Sequence, residues 1–439
     1  MGRIDYVVSG GGRLRGELRV PGDKSISHRA VMLGALAEGR TVVEGLLEGE
    51  DVLCTVAAFR AMGVAIEGPV GRRIEIAGAG REGLRAPGRP LDMGNSGTAM
   101  RLMAGILCAQ PFDTELVGDE SLSRRPMRRV AEPLAQMGAV IETAEGGRPP
   151  LRIRGGRRLR GIHYEMPVAS AQVKSALLLA GLYAEGETAV TEPAPTRDHT
   201  ERMLRAFGYD VATAGRTVSL RGGGRLQGTA LRVPADISSA AFFLVGASIA
   251  PDSDVLLREV GVNPTRIGIL NILRAMGARI EMLNERMMGG EPVADLRVRS
   301  SALRGIRIPE DEVPLAIDEM PAILVAAAFA EGETVLSGAA ELRVKESDRI
   351  AVMAEGLAAL GVRVQERPDG MIVRGGRVRG GTVGSHGDHR IAMSFAMAGL
   401  RADGPITVLD CRNVNTSFPG FAELARRAGL PIEVVEAKG

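Results

Sequence analysis

Residues able to do chemistry are gathered in short polar segments, each standing where an apolar stretch begins. Pro21-Gly-Asp-Lys-Ser-Ile-Ser-His-Arg29 brings Lys24, Ser25 and Arg29 together, and Asp92-Met-Gly-Asn-Ser-Gly-Thr-Ala-Met-Arg101 sets Gly97 among small polar residues. Arg124-Arg-Pro-Met-Arg-Arg129 places four arginines around a proline, and Ser170-Ala-Gln-Val-Lys174 and Thr196-Arg-Asp-His-Thr200 add hydroxyl, amide and guanidinium groups. Guanidinium grips carboxylate and phosphate bidentately. Two like charges about 8 Å apart in a partly screened site repel by roughly 2 kcal/mol, so arginines facing a cleft call for an anion between them. A solvated basic face remains the ordinary use of such a run. Further on, Asp318 lies in Ile317-Asp-Glu-Met-Pro321, Lys345, Glu346 and Arg349 in Arg343-Val-Lys-Glu-Ser-Asp-Arg349, and Arg390 in Asp388-His-Arg390. Carboxylates beside Lys and Arg stay ionised and can act as bases, while a carboxyl among anionic ligands holds a proton longer. Helix capping by Ser170, Thr196 or Asp318 is a second use of the same residues and is compatible with binding.

These segments need elements that aim them. Each precedes an Ala- and Leu-rich stretch that reads as a buried helix: 25–37, 97–109, 170–184, 238–250, 319–330 and 388–400. A helix start offers unpaired N–H groups and the positive end of the dipole, which suits anions. A second signal recurs six times, as in Phe59-Arg-Ala-Met-Gly-Val-Ala-Ile66, Leu134-Ala-Gln-Met-Gly-Ala-Val-Ile141 and Leu273-Arg-Ala-Met-Gly-Ala-Arg-Ile280. It reads as a helix end, a left-handed Gly cap and a strand. Strands announced by Gly-x-Thr at Gly39, Gly186 and Gly332 complete a βαβαββ module of about 70 residues, repeated six times. The expected fold is therefore α/β, with two similar domains of three modules each. One spans 20–234 and the other 1–19 plus 235–439.

Composition narrows the functional classes. Lys and Arg number 55 against 53 Asp and Glu, a net charge of +2, so no global field recruits nucleic acid or a membrane surface. Trp is absent and aromatics are 3%, which leaves few platforms for stacking bases. Cys54, Cys108 and Cys411 are far apart and form neither a disulfide framework nor a metal spacing. The start of the chain lacks an export signal, and runs such as 320–330 fall short of the roughly 18 apolar residues of a membrane helix. A cytoplasmic, monomeric enzyme acting on small anions is the expectation.

The segments at 21–29, 94–101, 342–349 and 388–390 together resemble the EPSP synthase family, the 3-phosphoshikimate 1-carboxyvinyltransferases, over essentially the whole chain. The resemblance implies the enolpyruvyl transferase fold, an inside-out α/β barrel whose two domains close on their substrates. It implies that Lys24, Ser25, Arg29, Ser170, Ala171, Gln172, Arg197, Asp318 and Lys345 hold shikimate 3-phosphate, and that Lys24, Gly97, Arg125, Gln172, Arg349 and Arg390 surround phosphoenolpyruvate. Asp318, Glu346, Lys24 and Lys345 would then be catalytic, in an addition–elimination that uses no metal and no organic cofactor.

Segments 125–129, 170–174 and 263–266 resemble the glyphosate-insensitive class II branch, which makes glyphosate an inhibitor to test. Two positions depart from pattern: Gly97 stands where well-known insensitive members have Ala, and Thr416 where the sensitive branch has Lys. The alternative is the related enolpyruvyl transferase acting on UDP-N-acetylglucosamine. Its reactive loop Cys has no counterpart between Pro111 and Arg125. A non-enzymatic Arg-rich nucleic-acid scaffold is disfavoured by the balanced charge.

Overall fold

The computed structural model describes residues 2–437. Twelve α-helices among them form six pairs, and the chain divides into two compact units. Among the described residues the N-terminal unit comprises 22–233 with the turn 288–291; the C-terminal unit comprises 2–21, 234–287 and 292–437.

In the N-terminal unit the first helices of the pairs are α1 (Lys24–Leu36), α3 (Gly97–Leu107) and α5 (Ala171–Gly181); the second are α2 (Glu50–Ala61), α4 (Arg128–Gln136) and α6 (His199–Ala206). In the C-terminal unit the first helices are α7 (Ile237–Ile249), α9 (Met320–Phe329) and α11 (His389–Ala398), and the second α8 (Gly268–Ala275), α10 (Arg349–Ala359) and α12 (Phe421–Ala428). The first helices lie within one or two residues of the apolar stretches at their start, and up to three short at the end. The last residues of those stretches form turns instead. Their composition explains their place: α7 is apolar or small all round and every residue of it is buried, as an interior helix requires. Helices α7, α9 and α11 pack on one another at the centre of their unit, and α3 packs on both α1 and α5 in the other.

The second helices end on Gly63, Gly138, Gly208, Gly277, Gly361 and Gly429, all with φ between 79° and 117°. That left-handed region is open to Gly at little cost, so each of the six recurring tails stops its helix and turns into the next strand.

Mixed sheets enclose the buried helices. In the N-terminal unit three four-stranded sheets share one plan. In one, Ala230–Arg232 runs parallel to Glu38–Glu44, whose other neighbour Arg73–Ala79 is antiparallel and pairs with Ala65–Val70. The C-terminal unit repeats the theme, with Arg15–Leu18 parallel to Asp254–Gly261 and Arg3–Val8 between Ile406–Leu409 and Ile432–Ala437. Each unit has its own apolar core. Among the described residues no helix is long and apolar enough to cross a membrane.

Candidate active site

In the N-terminal unit the polar segments cap the first helices. Asp23 accepts the Ile26 N–H at 2.9 Å, Ser96 that of Ala99 at 3.0 Å and Ser170 that of Val173 at 3.3 Å, so capping and presentation of Lys24, Gly97 and Gln172 go together. Lys24 is partly exposed and its Nζ lies 2.9 Å from Asp51 Oδ2 at the start of α2. Ser25 is half-buried and gives its carbonyl to Arg29 Nη1 at 2.9 Å.

Arg29 is buried, and donates also to Thr200 Oγ1 at 2.7 Å and Ser175 Oγ at 2.9 Å. Two of its five N–H groups thus tie α1 to α5 and α6, a third bonds within α1, and two remain for a ligand among the described residues. Burial pulls its guanidinium down to about 10; the Arg197 charge pulls the same way, while Glu201 and Asp23 oppose it. Arg197, half-buried ahead of α6, therefore faces the same region as Arg29. An anion there relieves both.

The second group surrounds Gly97. A Cβ on Gly97 would sit 3.1 Å from Nη1 of both Arg101 and Arg125, so two buried guanidinium tips converge on this backbone. Arg125 donates to Asn95 Oδ1 at 2.9 Å, and Asn95 donates to Asp119 Oδ2 at 2.8 Å. Arg101 donates to Gln172 Oε1 and, at 3.1 Å, to the Pro126 carbonyl; Gln172 donates to Thr98 Oγ1 at 2.9 Å. Gly97, Arg125 and Gln172 are thus brought together, with Ser170 and Ala171 on the same first turn of α5. Arg101 and Asn95 were not picked out from the sequence, although both lie in the 92–101 segment. Lys174 turns inward instead: it is buried between Glu192 at 2.8 Å and Glu201 at 2.7 Å.

In the C-terminal unit Asp318 sits on the 3-10 turn Pro314–Glu319 that leads into α9. Its Oδ1 is 3.4 Å from both Lys345 Nζ and Arg349 Nη1. Lys345 and Glu346 follow another 3-10 turn, Ala340–Val344, and precede α10. Arg349 is the hub: Nε is 2.8 Å from Asp388 Oδ2, and Nη2 is 2.8 Å from Glu346 Oε2 and 3.2 Å from Asp388 Oδ1. Burial works against its charge, but Asp388, Glu346 and Asp318 more than offset this and hold the guanidinium above its ordinary range. With four N–H groups turned to carboxylates, Arg349 has one left for an exogenous anion.

Arg390 differs. It lies in the first turn of α11, whose N-cap Asp388 accepts the Arg390 N–H at 3.0 Å. Its side chain is buried and makes no ion pair or hydrogen bond among the described residues. A desolvated guanidinium at a helix start is a cation awaiting an anion.

Thr416, on the 3-10 turn Arg412–Thr416, is buried and donates to the Asn413 carbonyl at 2.7 Å. Burial pushes the thiols of Cys54 and Cys108 up to about 12, opposite to what a nucleophile needs. Among the described residues no cluster of His, Cys, Asp and Glu could hold a metal ion.

The family model for EPSP synthase (3-phosphoshikimate 1-carboxyvinyltransferase) matches residues 8–424. The chain belongs to the EPSP synthase family. It is 67% identical to the 3-phosphoshikimate 1-carboxyvinyltransferase of Halorhodospira halophila, over 98% of this chain and 97% of the relative. It is 66% identical to that of Methylococcus capsulatus, over 98% and 99%. Among solved structures, EPSP synthase from Acinetobacter baumannii is similar with TM-score 0.88 and 59% identity, covering 99% of this chain and all of the other. Membership in the EPSP synthase family accords with the mixed α/β architecture of both units.

Proposed function

We infer that this chain transfers the carboxyvinyl group of phosphoenolpyruvate to the 5-hydroxyl of shikimate 3-phosphate and releases phosphate, as the names of its relatives state for them. The observation that carries the assignment of residues is Asp318, a carboxylate 3.4 Å from both an ammonium and a buried guanidinium. A carboxylate set between two cations is the arrangement a base for a hydroxyl can use.

Lys24, Ser25, Arg29, Ser170, Ala171, Gln172 and Arg197 hold shikimate 3-phosphate, with Asp318 and Lys345 at its reacting hydroxyl. Lys24, Gly97, Arg125, Gln172, Arg349 and Arg390 hold phosphoenolpyruvate, and Arg390 brings a buried guanidinium without an ion pair among the described residues. In the addition step Asp318 takes the proton of the 5-hydroxyl as its oxygen bonds to C2, and C3 gains a proton delivered through Glu346 and Lys345. The product is a tetrahedral ketal. In the elimination step the Glu346 and Lys345 pair takes a proton back from the new methyl group, the C2–O bond to phosphate breaks, the double bond returns, and the proton held by Asp318 leaves with phosphate. Lys24, Arg125 and Arg390 offset the phosphate and carboxylate charge as it redistributes. The enzyme works as a cytoplasmic monomer, and its glyphosate sensitivity lies between the two branches, a reading supported by segments 125–129, 170–174 and 263–266, which resemble class II, and by Gly97, which departs from it.

A coupled phosphate-release assay with the two named substrates tests the reading. Turnover is expected with shikimate 3-phosphate and none with UDP-N-acetylglucosamine. Asp318→Ala is expected to keep shikimate 3-phosphate binding and to lose roughly 10²–10⁴-fold in kcat, the range for a general base. Near-normal turnover of Asp318→Ala removes it from the mechanism.

A further inference from the structure

Glu319, the residue after Asp318, is buried with only 1% of its surface exposed, and its side chain does not cap the helix it begins. It reaches instead to the start of α7, where Ser238 Oγ donates to Glu319 Oε1 at 2.6 Å. Arg266 Nη2 donates to the same Ser238 Oγ at 2.7 Å, lies 3.2 Å from Asp236 Oδ1 and stands 3.6 Å from Glu319 Oε1. Asp236 in turn caps α7 by accepting the Ser238 N–H at 2.8 Å. One guanidinium thus faces two carboxylates across one hydroxyl, with all four side chains buried.

This arrangement is costly to keep. A buried carboxylate loses several kcal/mol of solvation, and well-packed apolar residues are often as stable or more so. Glu319 Oε2 has no hydrogen-bond partner among the described residues, so the cluster is not optimised for stability. Its place in the chain gives it another use. Asp318 rides a 3-10 turn broken at Ala316 (φ −137°, ψ 16°), and its contacts to Lys345 and Arg349 are long, at 3.4 Å. The kink lies two residues before Asp318. The grip of Ser238 and Arg266 on Glu319 holds the residue after it.

We propose that Glu319, held by Ser238 and Arg266, is a positioning residue for Asp318. It touches no substrate; it sets the height and direction of the Asp318 carboxylate by pinning the next residue to α7. The proposal rests on the role of Asp318 as base given above.

The test compares Glu319→Gln, Glu319→Ala, Ser238→Ala and Asp318→Asn in the full-length enzyme for kcat, both KM values, shikimate 3-phosphate affinity and melting temperature. A misplacement near 1 Å costs about 100-fold in rate. Glu319→Ala is therefore expected to lower kcat roughly 10- to 100-fold with both KM values within about threefold of the parent. Glu319→Gln keeps an acceptor for Ser238 and is expected to recover most of the loss. Ser238→Ala should lower kcat without moving KM. If Glu319→Ala and Ser238→Ala fold and keep kcat within twofold while Asp318→Asn is inactive, the positioning role is overturned and the base stands. If Asp318→Asn keeps its turnover, the base assignment fails and this inference falls with it. Loss of melting temperature and of both substrate affinities together with kcat, with no recovery in Glu319→Gln, marks a merely structural cluster and also overturns the proposal.

Discussion

At the scale of single residues, the segments proposed to bear the chemistry stand out in the sequence because cations are unusual at helix starts. Lys24 beside Ser25 and Arg125 beside Pro126 announce themselves as cations at helix starts, as do Arg349 after Asp348 and Arg390 two residues after Asp388. Their protein partners were not legible. Arg101 meets Gln172 across 71 residues and Lys24 meets Asp51 across 27, and no local pattern encodes such pairings. Nor does the sequence say that Arg349 turns most of its donors to carboxylates while Arg390 turns none. Gly97 gives the sharpest test at this scale. Its φ is outside the left-handed region, so Ala fits the backbone and only the added methyl matters. That methyl would press at 3.1 Å on two guanidinium tips, the flexible ends of long side chains that can give by a few tenths of an ångström. Gly97→Ala should therefore fold normally and shift the two arginines beside the proposed phosphoenolpyruvate site. A strain of roughly 1–2 kcal/mol is expected. In steady-state assays this corresponds to an about five- to thirty-fold higher KM for phosphoenolpyruvate, with KM for shikimate 3-phosphate unchanged. Glyphosate inhibition should weaken at least as much; equal titrations of parent and variant would remove the steric role of this position.

Elements are where the sequence was most informative. Helices α1, α3, α5, α7, α9 and α11 follow directly from apolar stretches, and the six Gly tails end their partners in the left-handed conformation. The 3-10 turns at Pro314–Glu319 and Ala340–Val344, which lead to Asp318 and Lys345, carry no comparable signal. They are too short for a hydrophobic period and take their shape from what they pack on. Close approach of buried helices was also hidden. A Cβ on Gly105 of α3 would lie 2.2 Å from the Ala176 carbonyl oxygen of α5, a backbone atom that cannot yield. A Cβ on Gly34 of α1 would instead meet the Ile76 Cδ1 tip at 2.9 Å. Gly105→Ala is thus expected to cost about 3 kcal/mol or more, the upper end for overpacking, and Gly34→Ala clearly less. At about 2–4 °C per kcal/mol, Gly105→Ala lowers the melting temperature by roughly 6–12 °C. Because α3 and α5 carry Gly97 and Gln172, it should also weaken phosphoenolpyruvate binding. Equal melting temperatures for the two variants would show that α3 and α5 have room to part.

For the whole molecule, two separate cores mean that stability belongs to each unit, and pH reveals it in the N-terminal one. His28 is fully buried, with Nδ1 2.8 Å from Thr55 Oγ1 and Nε2 3.3 Å from Ser96 Oγ. Ser96 already accepts the Ala99 N–H, so its hydroxyl proton can point at Nε2, leaving Nδ1–H for Thr55. That arrangement needs a neutral ring. Burial, reinforced by the Lys24 and Arg29 charges, holds His28 well below its ordinary 6.5. The unfolded chain therefore binds a proton near pH 6.5 that the folded unit refuses, and below that pH the unfolded state holds more protons. Stability contributed by His28 is full above about pH 6.5 and falls by up to about 1.4 kcal/mol per pH unit below it, down to the folded pKa. In calorimetry from pH 7.5 to 5 the transition of this unit should move to lower temperature with that slope. His28→Gln should melt lower at pH 7.5, for lost packing, yet show a slope smaller by one histidine's share. A protonated Nε2 would force the Ser96 hydroxyl to turn its proton away, directly before Gly97, but the folded ring stays neutral over this interval and the cap of α3 with it. Phosphoenolpyruvate affinity of the folded enzyme should therefore owe nothing to His28 over this pH interval, with parallel pH slopes in the parent and His28→Gln; a decline in the parent that His28→Gln abolishes would show that the folded ring takes up the proton there.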